Sequence, residues 1–198
     1  CIDIEKSFGD LSILKGVSLD IRRGEKIGLV GSNGAGKSTL ANIIFGEMEA
    51  DAGSILRYDQ GIRVGYLRQA AAYSLNTLNA ILTDRPESFL ETASQIGLSQ
   101  VARWDEERFQ ALSGGEKTKL ALAQVWTSRP GLLILDEPTN HMDIHGVEWL
   151  AEEMKKYQGA ALIISHDRWF LDQVVTRIYE LEWGKAKEYP GNYSFYRQ

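Results

Sequence analysis

The sequence predicts an α/β protein built on a mostly parallel sheet with helices on both faces. Three observations carry this. Short, continuous apolar runs at Lys26-Ile-Gly-Leu-Val30, Leu132-Leu-Ile-Leu135 and Ala160-Ala-Leu-Ile-Ile164 have the length and branching of buried strands. Helical spacing follows each run, in Leu40, Ala41, Ile43, Ile44 and Phe45, then over Val147 to Tyr157, then over Asp167 to Val174. The first strand-to-helix junction is Gly31-Ser-Asn-Gly-Ala-Gly-Lys37-Ser38-Thr39, which fits the spacing G-x-x-x-x-G-K-[ST].

That junction is the arrangement a phosphate-binding loop requires. Glycines at positions 31, 34 and 36 let successive backbone N–H groups turn inward, with Ser32, Asn33 and Ala35 between them. The helix N-terminus at Lys37 to Thr39 adds its partial positive charge. Lys37 would reach the β- and γ-phosphates, and the Ser38 hydroxyl would ligate Mg²⁺. A glycine-rich turn with no ligand is the bland alternative; the full spacing, with a strand before and a helix after, argues against it. The chain is therefore read as binding a nucleoside triphosphate.

The remaining elements fall in order around this loop. Cys1 to Asp20 holds two β-like runs, Ile2 to Ile4 and Ile13 to Ile21, with a turn at Gly9-Asp10. Phe8, upstream of the phosphate loop, reads by composition as a core aromatic. Gly53 to Leu67 gives strand candidates at Ser54 to Leu56 and Ile62 to Leu67, the second running into Arg68-Gln69. From Tyr73 to Phe109 the pattern becomes helical: first Leu75, Leu78, Ile81 and Leu82, then Phe89, Leu90, Ala93 and Ile96. It is broken at Asp84-Arg-Pro86 and Gly97. Strand and helix then alternate again, with a helix over Leu112 to Trp126 and a last strand over Arg177 to Leu181. The expected division is a nucleotide-binding core (1–68 and 110–198) interrupted by a small helical insert (70–109).

Composition narrows the class. The 198 residues, 43% hydrophobic and 25% charged, are ample for a core and ordinary for a globular protein. No apolar run is long enough to span a bilayer, so direct membrane insertion is not expected. The lone cysteine, Cys1, excludes an internal disulfide framework and points to a reducing, cytoplasmic setting. A chain that opens on Cys1 near strand register reads as part of something longer. The net charge of −5 argues against a broad basic surface for nucleic acid.

Two further constellations carry chemistry. Leu132 to Leu135 delivers Asp136-Glu137-Pro138 to the C-terminal edge of a buried strand, where ligands of open α/β sheets bind. Asp136 suits a hold on Mg²⁺, direct or through its water shell, and Glu137 is placed to take a proton from an attacking water. In Leu112-Ser-Gly-Gly-Glu-Lys-Thr-Lys119, Ser113 and Glu116 have capping-box spacing. The cap does not explain Gly114-Gly115, which cost roughly 1 kcal/mol each relative to alanine in a helix. Something pressing on that turn would explain them, and an anion at a helix N-terminus is one such thing. His166, following a strand, reads as structural when taken alone; its place mirrors that of Asp136-Glu137. His141, Asp143 and His145 approach metal-ligand spacing without cysteines or further carboxylates in support.

In this order, the phosphate loop, Gln69, Leu112 to Glu116, Asp136-Glu137 and Ser165-His166-Asp167 resemble the nucleotide-binding domain of an ATP-binding-cassette (ABC) protein. The resemblance implies a RecA-like P-loop core, an antiparallel β-subdomain and a small helical subdomain. It implies adenine stacking by Phe8, contact of Gln69 with Mg²⁺ and the water, and contact of His166 with the γ-phosphate. It implies a coupling loop at Asn140 to Asp143. It also implies a head-to-tail pair in which Ser113, Gly114 and Gly115 close over the ATP of a second cassette.

Asn140-His141, Ser165 to Asp172, Gly114 to Lys119 and Tyr189-Pro-Gly-Asn-Tyr-Ser-Phe-Tyr196 are similar to the ABC-F branch. That implies a two-cassette parent acting on the ribosome, as a translation factor or as protection against antibiotics. The long arm that some members carry between Gln69 and Ser113 is absent. The other class the resemblance allows is the ATPase subunit of a membrane transporter, against which the Asn140-His141 pair speaks.

Overall fold

The computed structural model describes residues 1–57, 59, 61–68, 76, 79, 80, 83, 86–98 and 100–197. Its strands are β1 (Ile2–Phe8), β2 (Leu11–Val17), β3 (Lys26–Val30), β4 (Ala52–Ser54), β5 (Val64–Leu67), β6 (Leu132–Asp136), β7 (Ala160–Ile164), β8 (Arg177–Glu182) and β9 (Lys185–Pro190). The helices are α1 (Lys37–Phe45), α2 (Pro86–Gln95), α3 (Glu106–Gln110), α4 (Gly114–Thr127), α5 (Ile144–Lys156), α6 (Arg168–Val174) and the single turn α7 (Tyr193–Tyr196).

Among the described residues the main sheet has the order β5-β6-β7-β3-β8-β9, parallel throughout except for the antiparallel β8–β9 hairpin. A second, antiparallel sheet has the order β2-β1-β4. The first sheet is the predicted parallel one, and the second is the antiparallel unit implied by the resemblance.

Period-two alternation along the central strands sorts the core into two faces. Leu133, Leu135, Ala161 and Ile163 pack with Leu150, Ala151 and Met154 of α5 and Phe170 and Leu171 of α6. Ile134, Leu162, Ile164, Ile27 and Leu29 face the other way, onto Leu40, Ala41 and Ile44 of α1 and onto Ile4, Leu14 and Val17 of the small sheet. Both faces are apolar because both are covered, which is why these strands read as continuous rather than alternating. Leu162 is fully buried in the second layer. Leu162→Ala should therefore cost about 2–5 kcal/mol, read as a lowered urea midpoint at unchanged slope.

A third cluster joins Phe89, Ala93 and Ile96 to Leu112, Leu120 and Ala123 of α4. The helix over Phe89 to Ile96 is thus present as α2, while Leu75, Leu78, Ile81 and Leu82 lie outside the described residues. Several boundaries shift for local reasons. β2 ends at Val17, before Ile21; beyond its end the Asp20 carboxylate accepts from Arg177 and from the Tyr179 hydroxyl at 3.0 Å. β4 lies at Ala52–Ser54, short of Leu56. Helix α4 starts at Gly114, since Ser113 is its cap, and α5 starts three residues before Val147, capped by Asp143. Strand β9, an edge strand of mostly exposed residues, carries no apolar signal and was not expected.

The aromatic ending packs on the fold. Tyr189 and Tyr196 meet edge to face at 4.8 Å, and their hydroxyls both donate to Glu180, at 3.0 and 2.5 Å.

Candidate nucleotide site

The register levels the C-terminal ends of the central strands. Leu29 and Asp136 both pair with Ile164, so the loops after β3, β6 and β7 open on one edge of the sheet. A cleft of about 510 Å³ lies along that edge, lined by Phe8, Ile13, Asn33, Gly34, Gly36, Lys37, Ser38, Thr39, Asp136, Glu137, Asn140, Ile164 and His166.

The glycines of the first loop have a steric basis. Gly31 and Gly36 have φ of 152° and 101°. A methyl on Gly31 would stand 2.4 Å from the Leu181 carbonyl oxygen, and one on Gly36 would stand 2.6 Å from the Ile13 side chain. The loop is therefore pressed between β2 and β8, and only glycine fits at these two positions. Within it, Ala35 N–H donates to the Ser32 carbonyl at 3.1 Å, closing the turn. Lys37, 8% exposed, donates to the carbonyls of Gly31 and Ser32, both at 2.9 Å. Burial holds its ammonium below the ordinary lysine range, against the opposing pull of the Glu137 and Asp136 charges.

At the next position Ser38 Oγ donates to Asp136 Oδ2 at 2.7 Å, across the gap between α1 and β6. The Tyr66 hydroxyl donates to the same oxygen at 3.3 Å. Hydroxyl and carboxylate oxygens are the hard donors that Mg²⁺ takes, so this pair fits the ion.

Glu137 is 8% exposed, and its φ of 50° is in the left-handed region, which non-glycine residues rarely occupy. Its N–H donates to the Ile164 carbonyl at 2.8 Å, tying the bend to β7. Its carboxylate accepts from His166 N–H at 3.2 Å, and His166 Nε2 lies 3.3 Å from the other oxygen. Burial pushes the Glu137 carboxyl above the ordinary range; the His166 N–H works in the opposite direction. An uncommon backbone conformation and a raised acid at a cleft together mark a chemical site.

The Ser113 turn stands beside this cleft, not in it: Gly114 lines a neighbouring pocket that shares Asp136, Glu137 and Asn140 with it. Ser113 caps α4, with its Oγ accepting from Glu116 N–H at 3.2 Å and its N–H donating to Glu116 Oε2 at 2.9 Å. Arg108 donates to the other Glu116 oxygen at 2.5 Å. Ser113 is exposed, and neither it nor Gly115 lines the cleft. Gly114 has its explanation inside the chain: a methyl there would stand 2.6 Å from the His141 side chain and 3.0 Å from its carbonyl oxygen. A methyl on Gly115 would find only Met142, at 3.9 Å.

The family model described as ABC transporter matches residues 14–140, from β2 through the turn after β6. The chain belongs to this ATP-binding-cassette family, whose members hydrolyse ATP. The cassette is 35% identical to ABC transporter F family member 5 of Arabidopsis thaliana over 98% of its own length and 29% of that protein's. It is 38% identical to the ribosome protection protein VmlR of Bacillus subtilis (strain 168), over 94% of its length and 32% of the relative's. The F-family name agrees with the branch that Asn140-His141 and the 189–196 stretch resemble. The cassette spans about a third of the length of these relatives. Among solved structures, a nucleotide-free ATP-binding cassette from an ABC transporter superposes with a TM-score of 0.82 at 21% identity, over 96% of this chain and 90% of that one.

Of the site residues named from the cassette's sequence, Phe8, Asn33, Gly34, Gly36, Lys37, Ser38, Thr39, Asp136, Glu137 and His166 come together around the cleft. Phe8 is half exposed at its wall, which departs from the core reading of its composition. Gly31, Ser32 and Ala35 form the loop behind it. Gln69 lies outside the described residues. Gly114 answers to His141 of its own chain, so of the two glycines only Gly115 presents an open face. His145 pairs with Glu148 at 3.5 Å, and Asp143 caps α5 through Gly146 N–H, so neither is disposed toward a shared metal with His141. Tyr66 was missed: its strand position gave no hint of a polar partner.

A substitution series separates the two glycines. Gly114→Ala should cost about 1–3 kcal/mol through the clash with His141. Gly115→Ala should change stability by less than about 1 kcal/mol. Thermal unfolding of the two variants checks the contrast.

Proposed function

We propose that this cassette binds MgATP in the cleft between Phe8 and His166. We propose further that it hydrolyses ATP when a second cassette, head to tail, supplies its Ser113–Gly115 turn. The parent protein is an ABC-F protein that acts on the ribosome in the cytoplasm. The observation that carries the reading is the convergence of Lys37, Ser38, Asp136, Glu137 and His166 on one cleft, with the Ser113 turn outside it and open to a neighbour.

In this reading the Phe8 ring stacks on the adenine and the inward N–H groups of Gly31 to Thr39 receive the phosphates. Lys37 exchanges two loop carbonyls for phosphate oxygens. Ser38, Asp136 and Gln69 hold Mg²⁺, which when bound neutralises charge on the β- and γ-oxygens. Glu137 accepts the proton of the attacking water, and His166, already beside it, orients toward the γ-phosphate. The core with its β-subdomain (1–68 and 110–198) and the helical subdomain (70–109) are the two units of this proposal. Helix α4, whose buried face meets α2, joins them.

Among the described residues no helix is long and apolar enough to cross a membrane. The ribosome as target rests on the likeness to VmlR and on the Asn140-His141 loop. The test is affinity purification of the parent protein carrying Glu137→Gln, with ATP present. Recovery of 50S or 70S particles supports the reading. Recovery of a membrane permease instead replaces it with the transporter class.

A further inference from the structure

Asp136 Oδ2 takes two hydrogen bonds from two different elements, and only one belongs to the phosphate loop. Ser38 donates from α1 at 2.7 Å and Tyr66 from β5 at 3.3 Å. A carboxylate has no proton to give, so the phenol is the donor and its bond fixes which way the carboxylate plane turns. The Tyr66 ring is itself held on two sides. The Arg68 guanidinium lies 4.4 Å from its centroid, and Phe45 meets it edge to face at 5.5 Å. Arg68 is in turn tied to Asn42 Oδ1 of α1 at 2.9 Å and, by an ion pair, to Glu47 just beyond that helix. The ring therefore has little freedom to swing away, and the hydroxyl is presented to Asp136 from a fixed platform.

We propose that Tyr66 is a positioning residue for Mg²⁺: its hydroxyl pins Asp136 Oδ2 so that the carboxylate and Ser38 face the ion in a set orientation. The proposal rests on the reading of Ser38 and Asp136 as the metal-holding pair. Tyr66 does not touch nucleotide or metal; it acts through Asp136. Outer hydrogen bonds of this kind orient a metal ligand, and their loss weakens metal affinity by about tenfold or more.

The experiment is equilibrium binding of a fluorescent ATP analogue to the full chain, titrated with MgCl₂ and compared with binding in EDTA. Tyr66→Phe keeps the ring, its stacking with Arg68 and its contact with Phe45. It should raise the MgCl₂ concentration for half-maximal binding by about tenfold and leave the EDTA affinity unchanged. Phe45→Leu removes one side of the ring's platform but keeps the hydroxyl, and should raise the MgCl₂ midpoint by much less than Tyr66→Phe. An unmoved midpoint in Tyr66→Phe overturns the proposal. So does an equal shift in Phe45→Leu, which would make the effect one of packing. If the unaltered chain binds the analogue with no dependence on MgCl₂, the metal-holding pair itself is wrong and the proposal falls with it.

Discussion

Glu137→Gln should lower ATP turnover by about 10²-fold or more, while an ATP-bound pair of cassettes becomes stable enough to isolate. The substitution keeps the shape and the bend at φ 50° but removes the group that takes the proton. The same residue sets a pH signature. Burial pushes its carboxyl above the ordinary range, so the ionised form needed by a base develops at a higher pH than for a free glutamate. The acid limb of the turnover profile should sit above the usual carboxylate range.

Stability responds in the opposite sense. Between the ordinary and the raised value the native chain holds a proton that the unfolded chain has released, so native stability falls as pH rises through the native value. Glu137→Gln lacks this loss, and its melting temperature should exceed that of the unaltered chain on the alkaline side only. Parallel pH profiles of melting for the two proteins, or normal turnover by the variant, would show that Glu137 is not the buried base.

Turnover per molecule should rise with protein concentration, close to tenfold for each tenfold increase while pairs are scarce, since pair formation is second order. The structural reason is that Ser113 and Gly115 do not line the cleft of their own chain. The first-turn N–H groups at Gly114 and Gly115 have no acceptors within their helix, which leaves them to an acceptor from outside it. Turnover per molecule that is constant over a hundredfold range, at full activity, would mean that one cassette suffices. Steady-state phosphate release at stepped dilutions measures it.

The parts of this cassette that the sequence makes legible are those fixed by short-range rules. The Gly31 to Thr39 loop is legible because its glycines must accommodate β2 and β8 at close range, which leaves a spacing signature. Strands β6 and β7 are legible because both faces are covered, so every residue is apolar. Strand β9 left no trace because an edge strand of mostly exposed residues needs only a partner, β8, and no apolar pattern. The reason for Gly114 was also out of reach. The turn's own residues announce that something presses there, but that it is His141 depends on a loop brought in by the sheet. Tyr66 is invisible for the same reason, as its hydroxyl's partner is set by the lateral order β5-β6. Arg177, buried against Asp20, Glu25 and Glu188, likewise joins residues that only the sheet order brings together.

The lateral order has one more consequence. Strand β3, which carries the phosphate loop, is made before β7 and β8, the two strands that flank it. A growing fragment that stops before β7 lacks both neighbours of that strand. A product truncated before β8 would carry the full motif without the Leu181 carbonyl against which Gly31 packs. The packing around Gly31 is thus complete only once β8 has been made.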